Sequence, residues 1–89
     1  MHYVVVQYFI GTSVIFGGME NTDLKKLGKN IRALREKAGY SQMKFAEILE
    51  AHLNTVSMME RGKINVPTLQ LIKVARVLGC KVTEFFKGI

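Results

Sequence analysis

From Asn21 onward, apolar residues recur every three or four positions, and the run is cut at Gly39, Gly62 and Gly79. This rhythm is the tightest constraint on the fold, because it specifies amphipathic helices and glycine ends a helix readily. Thr22 or Asp23 is expected to cap a first helix, with Leu24, Leu27, Ile31, Leu34 and Ala38 on one apolar face. Ser41 then caps a second helix that carries Phe45, Ala46 and Leu49 inward. A third runs from about Leu53 to Arg61 with Val56 and Met59 inward, and Pro67-Thr68 opens a fourth with Leu69, Ile72, Ala75 and Leu78 on one face. A last helical turn is expected near Val82 to Phe86. Five short helices with tight connections describe a compact all-α domain over residues 20–89.

Residues 1–19 are different in kind. They contain no Asp, Glu, Lys or Arg and are rich in Val, Ile, Tyr and Phe, which favour strands. Tyr3 to Ile10 and Ser13 to Phe16 flank Gly11-Thr12, which could close a β-hairpin. Equally, Met19 could be the start of the domain, with the preceding residues a mis-assigned extension. The stretch is too short for a membrane span and is broken by Gln7, Thr12 and Ser13. It lacks the basic start of a signal peptide. An exposed apolar hairpin would invite pairing with a second chain.

Composition narrows the function. The 13 Lys and Arg against 7 Asp and Glu leave a net charge of +6, which favours a polyanionic partner. A single cysteine, Cys80, excludes an internal disulfide and, among apolar neighbours after Gly79, reads as a buried inert thiol. With His2 and His52 far apart, no metal-ligand spacing is present, and no cofactor motif is evident. No nucleophile-base pair, carboxylate pair or phosphate loop points to an enzyme. The expected location is the cytoplasm.

The most informative stretch is Ser41 to Gly62, SQMKFAEILEAHLNTVSMMERG. Two short helices joined by a tight turn must cross steeply, and Ala46 supplies the small residue where they meet. Leu49, Ala51, Val56 and Met59 fill the wedge between them. Leu53, Asn54, Ser57, Met58 and Arg61 are left pointing away from the core, on the side where a major groove would lie.

The chain resembles the phage repressor/Cro (XRE) helix-turn-helix family from Leu27 to Phe86. The likeness rests on LGKNIRALREKAG, Ser41-Gln42, FAEIL, the Val56 to Gly62 pattern V-S-x-x-ERG, and PTLQLIKVARVLG. It implies a sequence-specific DNA-binding regulator, with double-stranded DNA and a second copy of the chain as partners. By resemblance, Gln42 is a phosphate contact at the start of the second helix, and Arg35 and Glu60 form a partly buried ion pair. Base readout is expected from Asn54 and Ser57, with Leu53 and Met58 against thymine methyls and His52 at the helix start. Arg61, Lys63 and Lys44 suit phosphates. Lys25, Lys26, Lys29 and Arg32 could extend that surface, although a solvated face is the default for them. Phe85, Phe86 and Ile89 are the expected dimer contact. Glu50 stands where the family usually has glycine, in a turn that favours a positive φ, and His52 stands where Ser or Thr is usual. The competing reading is an interaction or dimerisation module that keeps this fold without binding DNA.

Overall fold

The computed structural model describes residues 21–89, so the expected hairpin at the N-terminus lies outside the described residues. Four α-helices follow one another: α1 (Thr22–Lys37), α2 (Gln42–Leu49), α3 (Leu53–Glu60) and α4 (Thr68–Leu78). The expected fifth helix is a 3-10 helix over Val82–Phe86. No strand occurs among the described residues. Nor, among them, is any helix long and apolar enough to cross a membrane.

At α1 the cap differs from the expectation. Asn21, not Thr22 or Asp23, has the extended backbone of a cap, and its Oδ1 accepts from the Leu24 N–H at 3.0 Å. Ser41 caps α2 as its position implies, its Oγ accepting from the Lys44 N–H at 3.0 Å. Each cap satisfies a donor that the first helical turn leaves without a partner.

The core is built from Leu27 and Ile31 of α1, Phe45, Ala46 and Leu49 of α2, and Val56 and Met59 of α3. Leu71, Val74 and Ala75 of α4 complete it, with Val66 and Phe85. Two corrections concern which apolar residues point inward. Leu69 is 80% exposed, because the buried stripe of α4 is Leu71, Val74 and Ala75 at helical spacing, and Leu69 lies off it. Ala38 is the exposed C-cap of α1 and adds nothing to its apolar face.

Gly28 sits in the middle of α1, where glycine costs about 1 kcal/mol relative to alanine. Its reason is the crossing with α3. A Cβ at Gly28 would fall 2.5 Å from the carbonyl oxygens of both Met59 and Glu60. One turn along, a Cβ at Gly62 would fall 2.6 Å from the Lys25 Cα. The two glycines therefore let α1 and the end of α3 approach backbone to backbone. Further along α1, Asn30 Nδ2 donates to the carbonyls of Phe85 (2.8 Å) and Lys87 (2.9 Å), tying the C-terminal turn down.

Candidate nucleic-acid interface

The turn between α2 and α3 decides how α3 is presented. α2 ends at Glu50, whose φ of 57° and ψ of 41° are left-handed. It is the only non-glycine residue with positive φ among the described residues. Lys73 of α4 braces this end by donating to the Leu49 carbonyl at 2.8 Å, with its ammonium 3.8 Å from the Glu50 carboxylate. After the turn, His52 takes the cap position of α3 with no side-chain cap bond, which leaves the first turn of α3 open.

One face of α3 is locked. Glu60 is 5% exposed and Arg35 6%, and their side chains meet in a bidentate pair. Arg35 Nε donates to Glu60 Oε2 at 2.6 Å, and Nη2 donates to Oε1 at 3.1 Å. The remaining guanidinium nitrogen, Nη1, donates to the Tyr40 carbonyl at 2.6 Å. Gln42 joins them, its Nε2 donating to Glu60 Oε1 at 2.9 Å. An amide nitrogen carries two hydrogens, so one remains free beside the N-terminus of α2. The half-buried Gln42 is thus oriented by a buried carboxylate. Sequence reading missed that link, since no local rule joins positions eighteen apart.

The opposite face of α3 is open. Leu53 is 44% exposed, and Asn54 is exposed. Ser57 and Met58 are half-buried. The side-chain hydrogen bonds on this face are local: Asn54 Nδ2 lies 3.5 Å from Met58 Sδ, and Arg61 Nε donates to Ser57 Oγ at 3.2 Å. Both are single-turn contacts between exposed or half-exposed groups, easily exchanged for a ligand's hydrogen bonds. Arg61 is the exposed C-cap of α3 rather than its last helical residue. Lys63 is exposed just beyond it. Lys44 is also exposed, 3.1 Å from the Glu47 carboxylate.

Of the exposed first-helix cations, Arg32 pairs with Glu36 at 3.2 Å along its own helix, whereas Lys26 and Lys29 form no ion pair among the described residues.

Two other expectations change. Phe85 is fully buried beneath α1 and α4 and cannot be a dimer contact. A core position next to two carbonyls held by Asn30 leaves it no outward face, whereas Phe86 and Ile89 are 44% and 50% exposed. Cys80 is half-buried against the core rather than fully buried. Partial burial, and then the neighbouring Glu84 charge, push its thiol above the ordinary value.

A close crossing of α1 and α3, a bracketed α2–α3 turn and an outward-facing α3 define a helix-turn-helix unit. Residues 31–85 match the helix-turn-helix family, and the chain belongs to that family of DNA-binding transcriptional regulators, in its XRE type. Among solved structures it is similar to the restriction-modification controller protein C.AhdI from Aeromonas hydrophila. That pair has 33% identity and a TM-score of 0.71 over 74% of this chain and 100% of the other. It is also similar to the clp gene regulator ClgR from C. glutamicum (26% identity, TM-score 0.71, 78% and 88% covered). A third similar structure is the DNA-binding domain of BldD (28% identity, TM-score 0.68, 76% and 99% covered). No curated protein sequence matches the chain.

Proposed function

We propose that this chain is a sequence-specific transcriptional regulator of the repressor/Cro type that lays α3 in the major groove of double-stranded DNA. One observation carries the reading. The outward side of α3 presents Leu53, Asn54, Ser57 and Met58, whose side-chain hydrogen bonds reach no further than Arg61 one turn along, while Gln42, held by Glu60, stands with Arg61 and Lys63 toward the C-terminal end of the helix. That arrangement sets base-reading groups beside phosphate-binding ones, the division of labour that DNA recognition needs.

In this reading Asn54 pairs with an adenine edge and Ser57 holds either a base or Arg61. Leu53 and Met58 cover thymine methyls, and His52 lies at the entry of the helix. Gln42, Lys44, Arg61 and Lys63 contact phosphates. Residues 20–89 form the DNA-binding domain, with residues 1–19 an apolar extension of it. One eight-residue helix reads only a few base pairs, so the protein acts as a homodimer on two half-sites about one helical turn apart. Phe86 and Ile89, both exposed apolar side chains at the C-terminus, supply the two-fold contact. The role needs no catalytic group or cofactor, and a regulator of this kind works in the cytoplasm beside the DNA it controls. The names of the similar structures, a restriction-modification controller and a clp gene regulator among them, fit a regulatory role of this type.

Selection of bound duplexes from random DNA, followed by gel-shift measurements, tests the reading. Asn54→Ala should relax base preference at one position by roughly 1–3 kcal/mol. Arg61→Ala should weaken binding to every sequence, with a shallower salt dependence. A second reading rests on the exposure of Leu53 and the apolar Met58 on the same face, which suit a protein partner. If neither substitution changes DNA retention at any salt concentration, that interaction-module reading replaces the first.

A further inference from the structure

Where α1 crosses the end of α3, a shallow cleft is lined by Lys25, Lys26 and Lys29 from α1 and by Arg61 and Lys63 from beyond α3, with Glu60 at its edge. All five cations are exposed. The single carboxylate of the lining is already engaged by Arg35 and Gln42, so it does little to neutralise them. Among the described residues Lys26, Lys29, Arg61 and Lys63 form no ion pair. Lys26 donates to the Gly88 carbonyl at 3.1 Å, which positions its ammonium without cancelling the charge.

The cleft is a product of the crossing. Because Gly28 and Gly62 lack side chains, the two backbones meet, and lysines that would otherwise lie on a remote solvated face stand beside Arg61. Repulsion among like charges in this space favours a ligand bearing several negative charges.

We infer that the cleft between α1 and the end of α3 is a second phosphate-binding strip, in which Lys26 and Lys29 hold the DNA backbone flanking the base pairs read by α3. The occupant is the same duplex because Arg61 belongs to both surfaces: it closes α3 and lines the cleft. This inference rests on the DNA-binding reading above. It assigns to α1 an anchoring role, separate from the α2 contact through Gln42, and it divides Lys26 and Lys29 from Arg32, which is held by Glu36.

The test compares the full chain with the double variant Lys26→Gln/Lys29→Gln, and with a control, Lys37→Gln/Lys81→Gln, that removes the same charge outside the cleft. Glutamine keeps helix propensity near that of lysine, and equal thermal midpoints for wild type and variants establish that folding is intact. Binding to the selected duplex and to a scrambled one is followed from low to high salt. The slope of log affinity against log salt should fall by about 2 for the cleft variant, roughly 0.9 for each phosphate released, and affinity should drop equally for both duplexes. The control should keep the wild-type slope. If wild type binds DNA and the cleft variant keeps its slope, or loses no more than the control does, the second strip is ruled out while the proposed function stands. If wild type itself retains no duplex, the proposed function fails first, and the inference with it.

Discussion

The two faces of α3 make opposite use of the same eight residues. Toward α1, Val56, Met59 and Glu60 are buried, Glu60 is held by Arg35 and Gln42, and the helix backbone touches Gly28. Away from it, Asn54, Ser57 and Met58 bond only to neighbours one turn along or at the helix end. The inner face fixes where the helix stands, and the outer face is left free to bind. Substitutions on the two sides should therefore separate cleanly into losses of folding and losses of recognition.

Glu60→Ala is the harshest way to test that separation. Removing one partner of a buried pair strands the other charge, so a loss of about 3–5 kcal/mol is expected in urea unfolding. A small domain has only about 5–15 kcal/mol of stability, so this variant should be close to unfolded at 37 °C. Gly28→Ala comes next. It restores about 1 kcal/mol of helix propensity yet forces two backbones apart, for a net loss of about 1–3 kcal/mol. An unchanged unfolding midpoint in Gly28→Ala would mean that the α1–α3 crossing is not as close as described.

The outer face should behave otherwise. Asn54→Ala is expected to leave the unfolding free energy within about 0.5 kcal/mol of wild type while altering base preference. A large stability loss there would erase the contrast. Between the faces lies the turn that aims α3. Glu50→Gly should stabilise the fold by about 0.5–1 kcal/mol, since the left-handed conformation is strained for a residue with a Cβ, although the greater freedom of unfolded glycine offsets part of the gain. Its thermal midpoint should rise by a few degrees.

The smallest effect concerns Cys80, which is not among the residues proposed to meet DNA. Because the folded thiol is pushed upward, the unfolded chain loses its proton first, and stability declines as pH climbs through the ordinary thiol range. Alkylation of the folded protein should lag that of the unfolded chain at neutral pH and speed up toward alkaline pH. Bound DNA should leave that rate unchanged; protection by DNA would move the interface to the C-terminal side.

Much of this architecture is legible in the sequence wherever a rule acts within a turn or two of chain. Ser41 caps α2, glycine ends α4 at Gly79, and the unusual Glu50 stands in the left-handed position that the helix-turn-helix pattern requires. Legibility fails where neighbours compete. Phe85 and Phe86 are chemically alike and adjacent, yet one fills the core and the other is exposed, depending on how Asn30 holds the chain between them and α1. Leu69 and Leu71 divide in the same way by the roll of α4. Gly28 did leave a signal, since a glycine inside a helical pattern often marks a close approach.

The amino-acid order on its own therefore determined the placement of α1 to α4, their breaks, and the family to which they belong, because propensity, capping and periodicity are local; the fifth expected helix is a 3-10 turn instead. Only the assembled fold decided that Gln42 is aimed by Glu60, that Arg32 is drawn off by Glu36 while Lys29 is not, and that Lys25, Lys26 and Lys29 share a cleft with Arg61. Those outcomes depend on helices packing against partners far along the chain, at distances that the rules for a single turn do not reach.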